Sequence, residues 1–214
     1  MALNILFEDD TLQVVDKPAG LDVKELERLL EPKAKPAHRL DKDTSGVLVV
    51  AKNEDALRFL QTQFQERKVH KTYHCLVEGE LKNEKGTITT LLGRSPGDRR
   101  KQKAFLPREP GSENKREAVT HYEVNERFKG YTFLEVHPET GRKHQIRAHL
   151  SHLGHPIAGD KLYGFKNQKV PKGLTRQFLH ASALKILLPN GNEATFVSPL
   201  PKELKEVLKQ QKSL

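Results

Sequence analysis

The nine residues HRLDKDTSG, His38 to Gly46, set one carboxylate, Asp41, two positions after the guanidinium of Arg39 and just before a Thr-Ser-Gly turn. Pro36 favours an extended entry, and the apolar, β-branched run VLVVA from Val47 to Ala51 reads as a buried strand. Side chains two apart in an extended stretch point the same way, so Arg39 and Asp41 would share a face at the mouth of that strand. Thr44 and Ser45 offer hydroxyls, and Gly46 the permissive backbone needed to turn into it. A lone carboxylate in such a place suits nucleophilic chemistry. On the local pattern alone, an Asx-turn aspartate beside a solvated arginine explains it equally well.

Other segments follow in a fixed order around this one. VVDKPAGL spans Val14 to Leu21, KTYHCLVEG spans Lys71 to Gly79, and ETGRKHQIRAHL spans Glu139 to Leu150, with GHPIAGDKLYG close behind at Gly154 to Gly164. In type and order these segments resemble the motifs of the RluA-type pseudouridine synthases, RNA uridine isomerases, over most of the chain. The resemblance implies a pseudouridine synthase fold with a central cleft. It also implies a reaction in which the N1–C1′ bond of a uridine breaks, the uracil turns over, and C5 bonds to C1′. Nothing is oxidised or added, so neither cofactor nor metal is implied. Asp41 becomes the catalytic aspartate, Arg147 its ion-pair partner and Tyr73 a residue lining the active site. Burial raises an aspartate pKa by up to roughly 3–5 units and a nearby arginine lowers it by about 1–3, so Arg147 would keep Asp41 charged beside a flipped base. Attack at C6, attack at C1′ and stabilisation of an intermediate after elimination at C2′ all start from that anion. Arg39 maps onto the arginine that fills the gap left by the extruded nucleotide. Two departures stand out: Lys143 where the family often has threonine, and a short interval, LDVKELERLLEPKAKPA, between KPAG and HRLD.

The elements that must hold these residues are legible in outline. Strands are expected at Asn4 to Phe7, Leu12 to Val15, Lys71 to Val77, Thr87 to Leu92, Ala118 to Val124 and Tyr131 to Val136, the last two joined at Lys129-Gly130. A closing hairpin, Ala183 to Leu188 and Glu193 to Val197, turns at Pro189-Asn190-Gly191. Helices are expected at Val23 to Leu30, from Asn53 as N-cap to Gln65, at Arg142 to Leu153 ending at Gly154, and from about Pro201. Ile146, Leu150 and Leu153 form the apolar stripe of the third helix, with Arg147 beside it, partly buried or snorkelling at the edge. Strands dominate and hairpins outnumber crossovers, which points to an α+β fold: a mixed, largely antiparallel sheet flanked by helices, in a single catalytic domain of residues 1–214.

Composition sets the partners. A net charge of +9 over 214 residues favours a polyanion, and the resemblance makes it structured RNA, ribosomal or transfer. Between Arg94 and Arg116 eight basic residues face three acidic ones among prolines and glycines, which predicts a long surface loop or hairpin gripping RNA through Arg99, Arg100, Lys101 and Lys103. The chain leaves no room for an S4 RNA-binding domain of the kind some relatives carry, so the catalytic domain is expected to supply the RNA contacts. No apolar run is long enough to span a membrane, MALNILFEDD lacks the features of a signal peptide, and Cys75 is the only cysteine. The expectation is a monomer in the reducing cytoplasm. Two rival readings remain. One is a metal-dependent hydrolase built on His149, His152, His155 and Asp160, and the other is a non-catalytic RNA-binding module.

Overall fold

In a computed structural model that describes residues 3–212, turn chemistry and alternation resolve into strands and helices close to those expected. β1 (Asn4–Glu8) and β2 (Leu12–Lys17) form a hairpin in which the Asp9 carboxylate accepts from the Thr11 and Leu12 amides at 2.7 and 2.8 Å. There follow α1 (Val23–Glu27), β3 (Lys35–Pro36), β4 (Ser45–Ala51), α2 (Glu54–Gln65), β5 (His70–Glu78), β6 (Lys85–Arg94) and β7 (Gln102–Phe105). The chain continues through β8 (Arg116–Phe128), β9 (Tyr131–Pro138), α3 (Gln145–His152), β10 (Leu179–Leu187), β11 (Glu193–Val197) and α4 (Lys202–Lys212). None of these helices is long and apolar enough to cross a membrane.

Two compact units divide the chain: residues up to Tyr73 together with His180–Leu200, and His74–Leu179 together with Pro201 onward. In the first, strands lie in the order β1-β2-β4-β10, with β11 beside β10 and β3 beside β4. The pairings are antiparallel except that of β4 with β10, where parallel strands set Ser45 opposite His180 and Gly46 opposite Ala181. In the second the order is β5-β9-β8-β6-β7, antiparallel from β9 to β7. The architecture is α+β, with mixed and mostly antiparallel pairing.

Period-2 alternation explains why β4 is buried along its whole length. Val47, Val49 and Ala51 join Leu12, Leu60 and Ile186 on one face, while Leu48 and Val50 join Val15, Leu26 and Leu40 on the other. Covering both faces fixes the register, because a slip of one residue would exchange the two sets. Asn53 caps α2 by accepting from the Ala56 amide at 2.9 Å, as the sequence implies. α1 is shorter than the expected Val23 to Leu30. An Asp22–Glu25 capping box starts it, but the Leu29 amide donates to the Leu26 carbonyl at 2.8 Å, an i→i+3 bond that tightens and ends the helix.

α3 begins at Gln145, three residues later than expected. The Gln145 side-chain oxygen accepts from the Arg142 amide at 3.0 Å and the Thr140 hydroxyl at 2.7 Å, folding the TGRKH stretch into a turn with His144 left-handed at φ 54°. Leu153, expected on the core stripe, caps the helix and is 40% exposed; instead every residue from Gln145 to Leu150 is buried. The basic segment after Arg94 is a hairpin, because β7 pairs with β6 and sets Gln102 opposite Arg94.

Candidate active site

In the first unit, Asp41 opens a tight turn closed by the Thr44 amide, which donates to the Asp41 carbonyl at 3.1 Å. The turn is held from behind by the KPAG segment. Lys17 is fully buried, and its ammonium donates to the carbonyls of Pro18, Leu21 and Lys42 at 2.8, 2.7 and 3.1 Å. The Lys42 carbonyl also accepts from the Gly20 amide at 3.0 Å. A buried ammonium needs such acceptors, and here three carbonyls at the end of β2 and next to Asp41 supply them. The KPAG element is thus a clamp on the Asp41 loop.

The far side of the loop is fixed by a second buried contact. Ser45 donates its hydroxyl to His180 Nδ1 at 2.9 Å, while His180 Nε2 donates to the Ser198 carbonyl at 2.9 Å. Gly46, at φ +117°, presses against β10 so closely that a Cβ there would lie 2.1 Å from the Ala181 oxygen. His38, at the head of the motif, stacks on Phe64 at 4.6 Å and accepts the Val49 amide at 3.1 Å. Burial, and then the Lys71 charge, bring its imidazole down to about 3, so it is a neutral acceptor. Leu40 is buried among Val15, Leu26 and Leu48, which leaves Asp41 half-buried and Arg39 exposed on either side of it.

Tyr73 lies at the rim of that same apolar cluster, half-buried. Burial, and then the Asp41 carboxylate, push its phenol above the ordinary range, so it stays protonated at neutral pH. The Asp41 carboxylate is thus close enough for its charge to act on the Tyr73 phenol. Two residues earlier on β5, burial and the Arg67 charge bring the Lys71 ammonium down to about 8.

In the second unit, Arg147 is buried on α3. Its Nε and Nη2 donate to the two oxygens of Asp160 at 2.7 and 2.9 Å. The fork-on-fork geometry orients the guanidinium as well as compensating it. Asp160 also accepts the Leu162 and Tyr163 amides at 2.9 and 3.0 Å. Burial alone would raise this carboxyl, but bonding to Arg147, its charge and the two amides outweigh it and hold the pKa below the usual range. Sequence reasoning gave Asp160 no part in the site and named it only in the rival metal-centre reading; the structure makes it the partner of Arg147. The signal available was GDKLYG, just past the helix.

α3 is anchored by a buried polar network. Gln145 Nε2 donates to the Val119 carbonyl and to the Thr120 hydroxyl, both at 3.0 Å, while His149 meets Thr120 at 2.8 Å and Thr90 at 2.9 Å through its two ring nitrogens. With both nitrogens of His149 on hydroxyls and Asp160 on Arg147, the ligand set of the rival metal centre is otherwise engaged. Burial, and then the His152 charge, lower His149 from 6.5 to about 4. Between those values the unfolded chain binds the proton and the folded chain does not, so stability is full above 6.5 and falls as pH drops towards 4. We expect the unfolding free energy in urea to decline across that window, and His149→Asn to decline less steeply by up to about 1.4 kcal/mol per pH unit. Parallel declines would show that His149 is not the titrating group.

The basic residues of the β6–β7 hairpin are partly engaged with acids. Arg100 forks onto Asp98 and Lys103 reaches Glu109 at 2.6 Å, while Arg99 is exposed and Lys101 half-buried over the Tyr163 ring at 5.8 Å. Exposed pairs of this kind are worth roughly 0–1 kcal/mol, so a phosphate can take the place of either acid.

Residues 11–152 match the family model described as RNA pseudouridylate synthase. The chain is 41% identical over 235 residues to ribosomal large subunit pseudouridine synthase D of Xanthomonas campestris pv. campestris, covering 96% of this chain and 68% of that protein. It is 46% identical over 174 residues to an uncharacterized RNA pseudouridine synthase of Chloroflexus aurantiacus, covering 81% and 52%. Among solved structures, human RNA pseudouridylate synthase domain containing 1 superposes with a TM-score of 0.81 at 26% identity, covering 100% of this chain and 96% of that one. With its HRLD turn, K-x-Y strand and HQIR helix in the same order, the chain belongs to the RluA-type RNA pseudouridine synthase family.

Proposed function

We propose that the chain isomerises uridines of structured RNA, ribosomal or transfer, with Asp41 as the nucleophile, and that residues 1–214 act as one catalytic domain, monomeric and cytoplasmic. The Xanthomonas relative is named for the large ribosomal subunit, which favours ribosomal RNA. A single cysteine, buried, suits a reducing compartment. The observation that carries the reading is the clamped turn that presents Asp41 beside Tyr73.

The roles follow from the chemistry. Asp41 supplies the anion, and the N1–C1′ electron pair passes to the uracil. After the base turns, C5 bonds to C1′, the C5 proton leaves and N1 takes one up. Tyr73, protonated and at the rim of an apolar cluster, stacks on the base or donates to it rather than serving as a phenolate base. Arg147 takes the role of counter-ion to Asp41 that the family resemblance implies, and its fork on Asp160 fixes the plane of its guanidinium. Arg39, exposed two residues from Asp41, fills the stack behind the extruded uridine. Incubating the purified chain with ribosomal and transfer RNA transcripts is expected to yield pseudouridine in at least one; none in either would refute the reading.

RNA grip and base extrusion separate experimentally. Replacing Arg99, Arg100, Lys101 and Lys103 with glutamine is expected to weaken binding to every RNA and flatten its salt dependence, by about 0.7 in log-log slope per lost phosphate contact on single strands. Arg39→Ala is expected to slow turnover far more on a structured substrate than on a short unstructured one, where extrusion is easier. An unchanged salt slope would make the hairpin a solvated surface only, and equal losses on both substrates would remove the role of Arg39.

A further inference from the structure

We propose that Tyr163 is a positioning residue that ties RNA binding by the β6–β7 hairpin to the placement of Arg147, an inference that rests on the roles given to both above. Tyr163 is 7% exposed and packs among Leu92, Ala104, Ala118 and Ala148, so its hydroxyl must find partners inside the protein. Among them are the Gln102 amide, which donates to it at 2.6 Å, and His144 Nδ1, with which it shares a hydrogen bond at 3.0 Å. Gln102 is the first residue of β7, directly after Lys101, and His144 is the N-cap of the helix that bears Arg147. One oxygen therefore fixes both the end of the hairpin and the start of α3.

The ring makes the same connection by a second route. The Lys101 ammonium lies 5.8 Å, and the Arg147 guanidinium 5.0 Å, from its centroid. Both cations draw on one π-system. The Tyr163 backbone closes the circuit. Its amide donates to the Asp160 oxygen that also receives Arg147 Nη2, and its carbonyl accepts the Ser151 hydroxyl of α3 at 3.1 Å. His144 is left-handed, at φ 54°, a conformation uncommon outside glycine, and the Tyr163 hydroxyl is among the groups that hold it there. A phosphate that draws on Lys101 thus pulls on the ring and the amide that seat the guanidinium.

The test separates hydroxyl from ring. Tyr163→Phe keeps the ring and both cation contacts but removes the link to Gln102 and His144. It is expected to weaken RNA binding roughly fivefold and to lower the single-turnover rate at saturating RNA about threefold. Tyr163→Leu removes the ring as well and is expected to lower that saturating rate about tenfold. In the double variant Tyr163→Phe with Lys101→Gln, the loss of affinity should be smaller than the product of the two single losses, because both act on one device. A multiplicative cycle overturns the coupling, and so does a wild-type saturating rate in Tyr163→Leu. Should Tyr163→Leu fail to fold, Tyr163→Phe and its cycle decide alone. If Lys101→Gln by itself leaves affinity unchanged, the hairpin's grip and the coupling fall together; a multiplicative cycle with a real Lys101 loss refutes only the coupling.

Discussion

Asp41→Asn is expected to bind RNA as tightly as the wild type, or slightly more tightly, and to isomerise none of it. The substitution keeps size and hydrogen-bonding shape, and the turn is closed by the Asp41 backbone carbonyl, so the loop held by Lys17 survives. Removing one negative charge from a chain of net charge +9 does not weaken attraction to a polyanion. What is lost is the nucleophilic anion, and losses on the order of 10⁴-fold or more follow when a nucleophile is removed from an otherwise intact site. Tritium placed at C5 of uridine reports the step, because it leaves when C5 bonds to C1′. Near-wild-type tritium release by Asp41→Asn would remove Asp41 from the chemistry.

Arg147→Met is expected to lose both activity and stability. Its partner Asp160 is fully buried, and stranding one charge of such a pair typically costs about 3–5 kcal/mol. Adding Asp160→Asn should recover much of that stability, since the asparagine side-chain oxygen still accepts the Leu162 and Tyr163 amides while carrying no charge. Activity should not return, because the guanidinium proposed for Asp41 is still missing. Chemical denaturation of the two variants gives the stability arm and tritium release the catalytic arm. Recovery of turnover in the double variant would confine Arg147 to a structural role with Asp160.

What the sequence disclosed, and what it hid, divides along the distance over which each contact acts. The buried run Val47 to Ala51, the Asn53 cap and the Lys129-Gly130 turn are written in neighbouring residues, and each appears where alternation and turn chemistry put it. The start of α3 is not, because Gln145 folds its side chain back on Thr140 and Arg142, a bond that no helical period encodes. Nothing local to Lys17 marks it for burial, which depends on three carbonyls, one of them 25 residues away. The Ser45–His180 contact joins positions 135 apart. Arg147 is legible as a cation beside an apolar stripe, but its Asp160 partner lies past the helix end, 13 positions on, where no helical period links the two. The motif residues were readable because their types and order repeat those of a family; the clamps behind them are long-range and polar, and appear only when the chain is folded.

The most direct test is a transcriptome-wide map of pseudouridine in cells with and without this protein. Loss of pseudouridine at one or a few discrete uridines of ribosomal or transfer RNA is predicted, with return when the wild-type chain is supplied and no return with Asp41→Asn. Identical maps in the two strains, or restoration by Asp41→Asn, would contradict the account.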